Sequence, residues 1–169
     1  MNKISFSYNF VDKLKLDADG HYYLQLPAFY SFESHSNAPV DFIFDTGAYL
    51  TVLSRNSARD LELMDKFTTQ KGVKLSGFAG GCLADIKEIP GLIIGGRRMV
   101  GVKVAVPHID TPANILGLNV IDHFKFLVDT DEDKIYFADN PNPGIPDILR
   151  ARRIYAVDDE KNISQKNIS

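Results

Sequence analysis

The sequence predicts an all-β fold carrying one or two short helices. Three observations lead there. Ile4, Phe6, Tyr8 and Phe10 alternate with polar residues, the two-residue period of a half-buried strand. From Val73 onward, short β-prone runs follow one another, punctuated by glycine and aspartate turns. Ahead of the C-terminal segment, only two stretches read as helical. One is 56–64, where Ala58, Leu61 and Met64 fall about one face. The other is a turn or two over 120–124.

The elements then follow in order. Asp17-Ala18-Asp19-Gly20 is a turn, and 21–32, rich in aromatics and leucine, reads as one or two strands around Pro27. Residues 33–39 read as a polar loop. Residues 40–44 and 51–53 read as buried strands. Residues 73–78 and 82–89 flank a glycine-rich turn, while 92–94 and 100–106 flank Gly95-Gly96, a hairpin signal. The Asp-rich run 129–133 turns the chain between two apolar segments, 126–129 and 135–137. Asn140-Pro141-Asn142-Pro143-Gly144 breaks regular structure, 147–155 reads as helical, and 158–169 is polar and frayed.

A chain of 169 residues with 44% hydrophobic residues suffices for one well-cored domain, taken as 1–169. A net charge of −3 does not suggest a polyanionic partner, so no nucleic acid is expected. Arg97-Arg98 and Arg150-Ala151-Arg152-Arg153 read as solvated surface. The single cysteine, Cys82, excludes an internal disulfide and fits a reducing compartment. No apolar run suits a signal peptide or a membrane span, which makes a cytoplasmic location the expectation. His21, His35, His108 and His123 lack ligand spacing, so neither a metal nor a cofactor is expected.

The chemistry concentrates in Asp41-Phe42-Ile43-Phe44-Asp45-Thr46-Gly47-Ala48. An apolar strand ends on Asp45, delivering a carboxylate into a partly dry site, and Gly47 lets the backbone turn sharply. Further along come Gly77-Phe78-Ala79-Gly80-Gly81 and then Asn114-Ile115-Leu116-Gly117-Leu118-Asn119-Val120-Ile121. This ordered set, with the closing strands 126–129 and 135–137, resembles the retropepsin-like aspartic proteases over roughly residues 22–138. A lone Asp-Thr-Gly is weak, since any tripeptide recurs by chance; the ordered set is specific. Segments 1–20 and 139–169 lie outside the resembling core and are candidates for a dimer contact.

The resemblance implies a closed β-barrel with a β-hairpin flap and an aspartic endopeptidase acting on an extended polypeptide. Asp45 would be catalytic, with Thr46, Gly47 and Ala48 supporting its loop. Gly77, Phe78, Ala79, Gly80 and Gly81 would form the flap tip over substrate. Ile115, Leu116, Gly117 and Asn119 would pack beneath the Asp45 loop. Val128-Asp129-Thr130-Asp131 is a decoy, because Asp131 replaces the glycine. One Asp-Thr-Gly loop per chain and two carboxylates per site imply a homodimer. Two departures stand out: where retroviral members carry an acidic residue after Ala48 and an arginine after Gly117, this chain has Tyr49 and Leu118. They weakly favour a rival reading, a binding or structural module that keeps the fold without proteolysis. An Asp-nucleophile enzyme is a remoter alternative, lacking a metal or phosphate site.

Overall fold

The computed structural model describes residues 10–13, 15–16, 24–32, 35–77, 80–157 and 163–167. Strand β1 (Phe10–Lys13) is followed by β2 (Lys15–Leu16), β3 (Leu24–Phe32), β4 (His35–Phe44) and β5 (Thr51–Val52). Helix α1 (Arg55–Asp60) leads into the long pair β6 (Thr68–Gly77) and β7 (Gly80–Ile89). Next come β8 (Leu92–Ile94), β9 (Arg97–Val100), β10 (Val102–Pro107) and β11 (Asn114–Leu116). Helix α2 (Leu118–Ile121), β12 (Phe124–Asp129), β13 (Lys134–Asp139), β14 (Arg153–Val157) and β15 (Ile163–Asn167) complete the order. The molecule is thus mostly β with two short helices. The larger sheet runs β15-β14-β9-β8-β3-β4-β11-β5-β10-β7-β6, with β2 also on β3, and β1-β13-β12 form a small second sheet.

Side-chain alternation decides which face is buried. On β3, Leu26, Ala28 and Tyr30 point into the core while Phe29 faces outward; on β4, Val40 and Phe42 point inward. They meet Leu53, Leu92, Met99, Val104, Leu116 and Ile135 in one contiguous core. Strand β3 runs unbroken through Pro27, where among the described residues only β4 pairs with it, since β2 reaches Leu24 and Gln25 and β8 reaches Phe29 and Tyr30. A missing N–H is tolerated where no second ladder needs it.

Several elements differ from the sequence reading. Residues 35–39 are not loop: β4 begins at His35, and Ala38 and Pro39 pair with Tyr30 and Phe29. Cross-strand pairing overrides their weak β propensity. Helix α1 stops at Asp60, because Glu62 takes φ 56° and terminates the turn. Helix α2 begins two residues before the expected start, and Phe124 belongs to β12. The predicted helix over 147–155 is only a 3₁₀ turn at Asp147–Leu149, after which β14 extends the sheet from the edge of β9. Part of the expected frayed tail, β15, pairs with β14. The strand expected over 4–10 and the turn over 17–20 fall, apart from Phe10, outside the described residues. Both flanking segments find partners within the chain, β1 on β13 and β14 on β9.

The Gly95-Gly96 turn joins β8 to β9 with φ of 57° and 71°. A Cβ on Gly96 would lie 2.5 Å from the Phe10 ring, so backbone conformation and packing both require glycine. The second strand of this hairpin is β9 (Arg97–Val100) and not the expected 100–106, most of which lies beyond Gly101 (φ 69°) in β10 and pairs with β7. We expect Gly96→Ala to lower stability by about 2 kcal/mol in urea unfolding, through positive-φ strain and overpacking against Phe10. An unchanged unfolding midpoint would contradict this account of the turn.

The segment after β13 wraps the end of α2. The Asn140 N–H donates to the His123 carbonyl at 3.0 Å, and the Ile145 N–H to Asp122 Oδ2 at 3.0 Å. The Ala151 N–H donates to His123 Nε2 at 3.4 Å, which requires an unprotonated nitrogen. Burial, with Arg150 as a second cause, pushes the His123 imidazole below its ordinary 6.5, and Asp122 opposes only in part. A depressed histidine resists protonation in the folded state, so below 6.5 the unfolded chain binds more protons. Stability is therefore lost as pH falls. We expect His123→Gln to flatten the decline from about pH 7 to about pH 5, measured by thermal unfolding. Identical slopes for wild type and variant would remove His123 from the account.

Candidate active site

Asp45 follows the last residue of β4 and begins a tight turn. Its N–H donates to the Leu116 carbonyl at 3.1 Å, so β11 carries the strand ladder one step past Phe44. The Gly47 N–H donates to Asp45 Oδ1 at 2.8 Å, fixing the carboxylate over its own turn, and the Ala48 N–H reaches the Asp45 carbonyl at 3.3 Å. Asp45 is half-buried, while Thr46 and Gly47 are exposed. Beneath it, the Phe44 ring packs edge-on against Phe126, with centroids 4.8 Å apart. The apolar strand end and the sharp turn have the form read from the sequence.

Parallel pairing sets the second half of the site. Asn114, Ile115 and Leu116 on β11 lie beside Phe42, Ile43 and Phe44 on β4, so both strands end at the same edge. Gly117 follows where a side chain cannot fit: a Cβ there would lie 2.5 Å from the Leu50 carbonyl carbon. Straps then bind the two loops together. The Leu118 N–H donates to the Ala48 carbonyl at 2.8 Å and the Asn119 N–H to the Tyr49 carbonyl at 3.1 Å.

A buried polar knot lies under these straps. Asn119 Oδ1 accepts from both the N–H and the hydroxyl of Thr51, each at 2.8 Å. The Thr51 hydroxyl oxygen in turn accepts from the Gly117 N–H at 3.1 Å, and Asn119 Nδ2 donates to the Lys103 carbonyl at 2.8 Å. Thr51 is 0% and Asn119 1% exposed, so neither can exchange these bonds for water. The structure therefore brings together Asp45, Ala48, Leu116, Gly117 and Asn119. Sequence reasoning singled out Asn119 but read Thr51 only as a strand residue. The available signal was a hydroxyl at the start of an apolar run, which once buried must find a partner.

The glycine-rich turn closes the hairpin of β6 and β7. Gly77 pairs with Gly80, Ser76 with Gly81 and Leu75 with Cys82. Gly80 has φ 101°, open only to glycine without strain, and a Cβ on Gly81 would lie 2.9 Å from the Leu75 carbonyl oxygen. Phe78 and Ala79, assigned to the tip, lie outside the described residues. The hairpin's root is anchored more firmly than its glycines suggest. Lys87, 1% exposed, donates from Nζ to the carbonyls of Met64 and Lys66, each at 2.9 Å, and to Thr68 Oγ1 at 2.8 Å. Burial pushes its pKa below the ordinary lysine value. Asp85 Oδ1 accepts from the bulged Gly72 N–H at 3.0 Å and meets His108 Nε2 at 2.8 Å. The His108 contact, seconded by Gly72, holds the Asp85 carboxyl below its usual range. Neither anchor was read from the sequence.

Among the described residues, no group of three His, Cys, Asp or Glu side chains is placed to hold a metal ion. No helix of the described residues is long and apolar enough to cross a membrane.

Fold and site geometry together define the class of retropepsin-like aspartic proteases. A retropepsin-like aspartic protease from Rickettsia conorii shares the fold, with a TM-score of 0.54 and 24% identity over 75% of this chain and 97% of that one. The EIAV protease, complexed with the inhibitor HBY-793, gives a TM-score of 0.47 and 18% identity over 63% of this chain and 91% of that one. No curated protein matches the chain. Residues 34–123 match the family described as gag-polyprotein putative aspartyl protease. The chain belongs to this family, and its class of activity is that of an aspartic-type endopeptidase.

The knot yields a prediction of its own. Asn119→Ala leaves the Thr51 N–H and hydroxyl and the Lys103 carbonyl without their buried partner. We expect a loss of about 3 kcal/mol in chemical unfolding, the cost of stranded buried polar groups. A loss below about 0.5 kcal/mol, typical of plain surface changes, would show that the straps alone hold the two loops.

Proposed function

We propose that the chain hydrolyses peptide bonds as a homodimer in which Asp45 of each protomer supplies half of a carboxylate dyad. The observation that carries this reading is the position of Asp45: half-buried, at a strand end, with Oδ1 held by the Gly47 N–H. Two such carboxylates brought close cannot both ionise readily, so one proton is shared between them. The ionised member takes a proton from water. That water attacks the scissile carbonyl carbon while the protonated member donates to its oxygen. A tetrahedral diol results and no covalent adduct with the enzyme forms. Collapse of the diol releases the amine, which takes up a proton, and the acid.

The remaining roles belong to the same reading. Thr46, exposed in the single chain, would meet its counterpart across the dimer axis. Gly77, Phe78, Ala79, Gly80 and Gly81 would close over an extended polypeptide and exclude water. Ile115, Leu116, Gly117 and Asn119 would fix the loop from below. The closed barrel and the cytoplasmic setting are proposed with it.

Asp45→Asn is the direct test. Asn is nearly isosteric but cannot accept the proton, so digestion of a diverse peptide library should fall by about 10⁴-fold or more, with thermal stability retained. Turnover by the folded variant within about tenfold of wild type would exclude Asp45 as the catalytic group. A wild-type protein that folds and dimerises yet cleaves nothing would favour the non-proteolytic module.

A further inference from the structure

We propose that Asp85 and His108 are positioning residues that set the place of the β6–β7 hairpin over the Asp45 site. The inference rests on the endopeptidase reading above and adds the contacts that would hold its flap. Ladder pairing between β7 and β10 ends at Ala84 and Pro107. Beyond that point, among the described residues, β7 from Gly80 to Leu83 pairs with β6 alone. The register on β6 breaks at the same level, between Gln70 and Val73, where Gly72 takes φ 62°. A bulge bends its strand, so this is where the hairpin leaves the body of the fold.

Asp85 sits at that point and ties three segments together. Its Oδ1 accepts from the Gly72 N–H of β6 at 3.0 Å and lies 2.8 Å from His108 Nε2, one residue past β10. A carboxylate only accepts, so Nε2 carries the proton and donates. The His108 contact holds the Asp85 carboxyl below its usual range, with Lys87 adding attraction, which keeps it in the accepting form. A second tie, from the His108 N–H to the Leu83 carbonyl at 2.7 Å, extends the hold one step past the ladder. Lys87 acts two residues farther inside the ladder, opposite Val104, on the body side of this junction. The junction also reaches both loops of the site. Ala84 packs with Leu50 and Val52 of the chain leaving Asp45, and from His108 the chain runs on into β11 and Gly117. Asp85 and His108 side chains are 28% and 41% exposed, so replacing either opens no core cavity.

The test measures peptide cleavage and amide hydrogen exchange for wild type, Asp85→Ala, Asp85→Asn, His108→Ala, the double variant of Asp85→Ala with His108→Ala, Gly96→Ala and Asp45→Asn. Asp85→Ala should raise KM about fivefold with kcat within about twofold, because a displaced flap loses contacts made equally with bound substrate and transition state. Amides of 80–83 should exchange at least about threefold faster, and those of β3 and β4 at the wild-type rate. His108→Ala should shift KM the same way, and the double variant should match Asp85→Ala, since both residues act through one contact. Asp85→Asn keeps an accepting oxygen and should return KM to within about twofold of wild type. Gly96→Ala, which loses stability outside the hairpin, should leave KM unchanged. An unchanged KM or unchanged exchange in Asp85→Ala, additive losses in the double variant, or an equal KM rise in Gly96→Ala would overturn the proposal while leaving the endopeptidase reading intact. Cleavage by Asp45→Asn equal to wild type, or none by wild type, would instead bring down the endopeptidase reading and this proposal with it.

Discussion

The buried amide of Asn119 is the interaction on which the site depends. Two strand ends, β4 and β11, arrive side by side at one edge, and nothing in strand pairing alone would hold the loops that leave them. Asn119 does so by joining three separate segments: Thr51 after the Asp45 turn, Gly117 through the Thr51 hydroxyl, and Lys103 on β10. An amide suits this place because it accepts twice and donates in the same plane. Burial makes the arrangement all or nothing, since a stranded partner in a dry site costs more than a formed bond contributes. Under the proposed dyad, a carboxylate that has to meet its counterpart within about 0.5 Å of the productive geometry would need this kind of support.

The hairpin of β6 and β7 pairs the opposite qualities. Its turn is rich in glycine and β6 is mostly exposed, whereas its root is held by a buried lysine and a shared carboxylate. The Lys87 ammonium binds three oxygens of the 64–68 segment, where Phe67 has φ 60°. Asp85 caps the bulge at Gly72 and reaches across to His108. The hairpin is thereby anchored at the end away from its glycine-rich turn. Packing of Leu50 and Val52 against Ala84 and Ile86 also links this hairpin to the loop of Asp45.

What was legible in the sequence follows a physical division. Asp45, Gly47, Gly117 and Asn119 were readable because each is constrained by chemistry or by close backbone approach, and few other residue types fit. The strands over 24–32 and 40–44 and the Gly95-Gly96 turn were readable from β-prone apolar runs and a two-glycine hairpin signal. Residues 35–39 were not, because their extended form comes from pairing with β3 and not from their own composition. Nor was β14, which has helix-compatible residues and becomes a strand only because β9 offers an edge. Thr51, Lys87 and Asp85 act through partners dozens of residues away or across a bulge, contacts that periodicity cannot reveal.

A single chain brings one Asp45, and the proposed chemistry needs a donor and an acceptor in the same step. The most direct measurement is activity across mixtures of wild type and Asp45→Asn after proven subunit exchange. If each site draws one carboxylate from each protomer, activity should fall as the square of the wild-type fraction, because mixed dimers are dead. A linear fall would mean that every chain carries a complete site, and the shared dyad would be wrong for this protein.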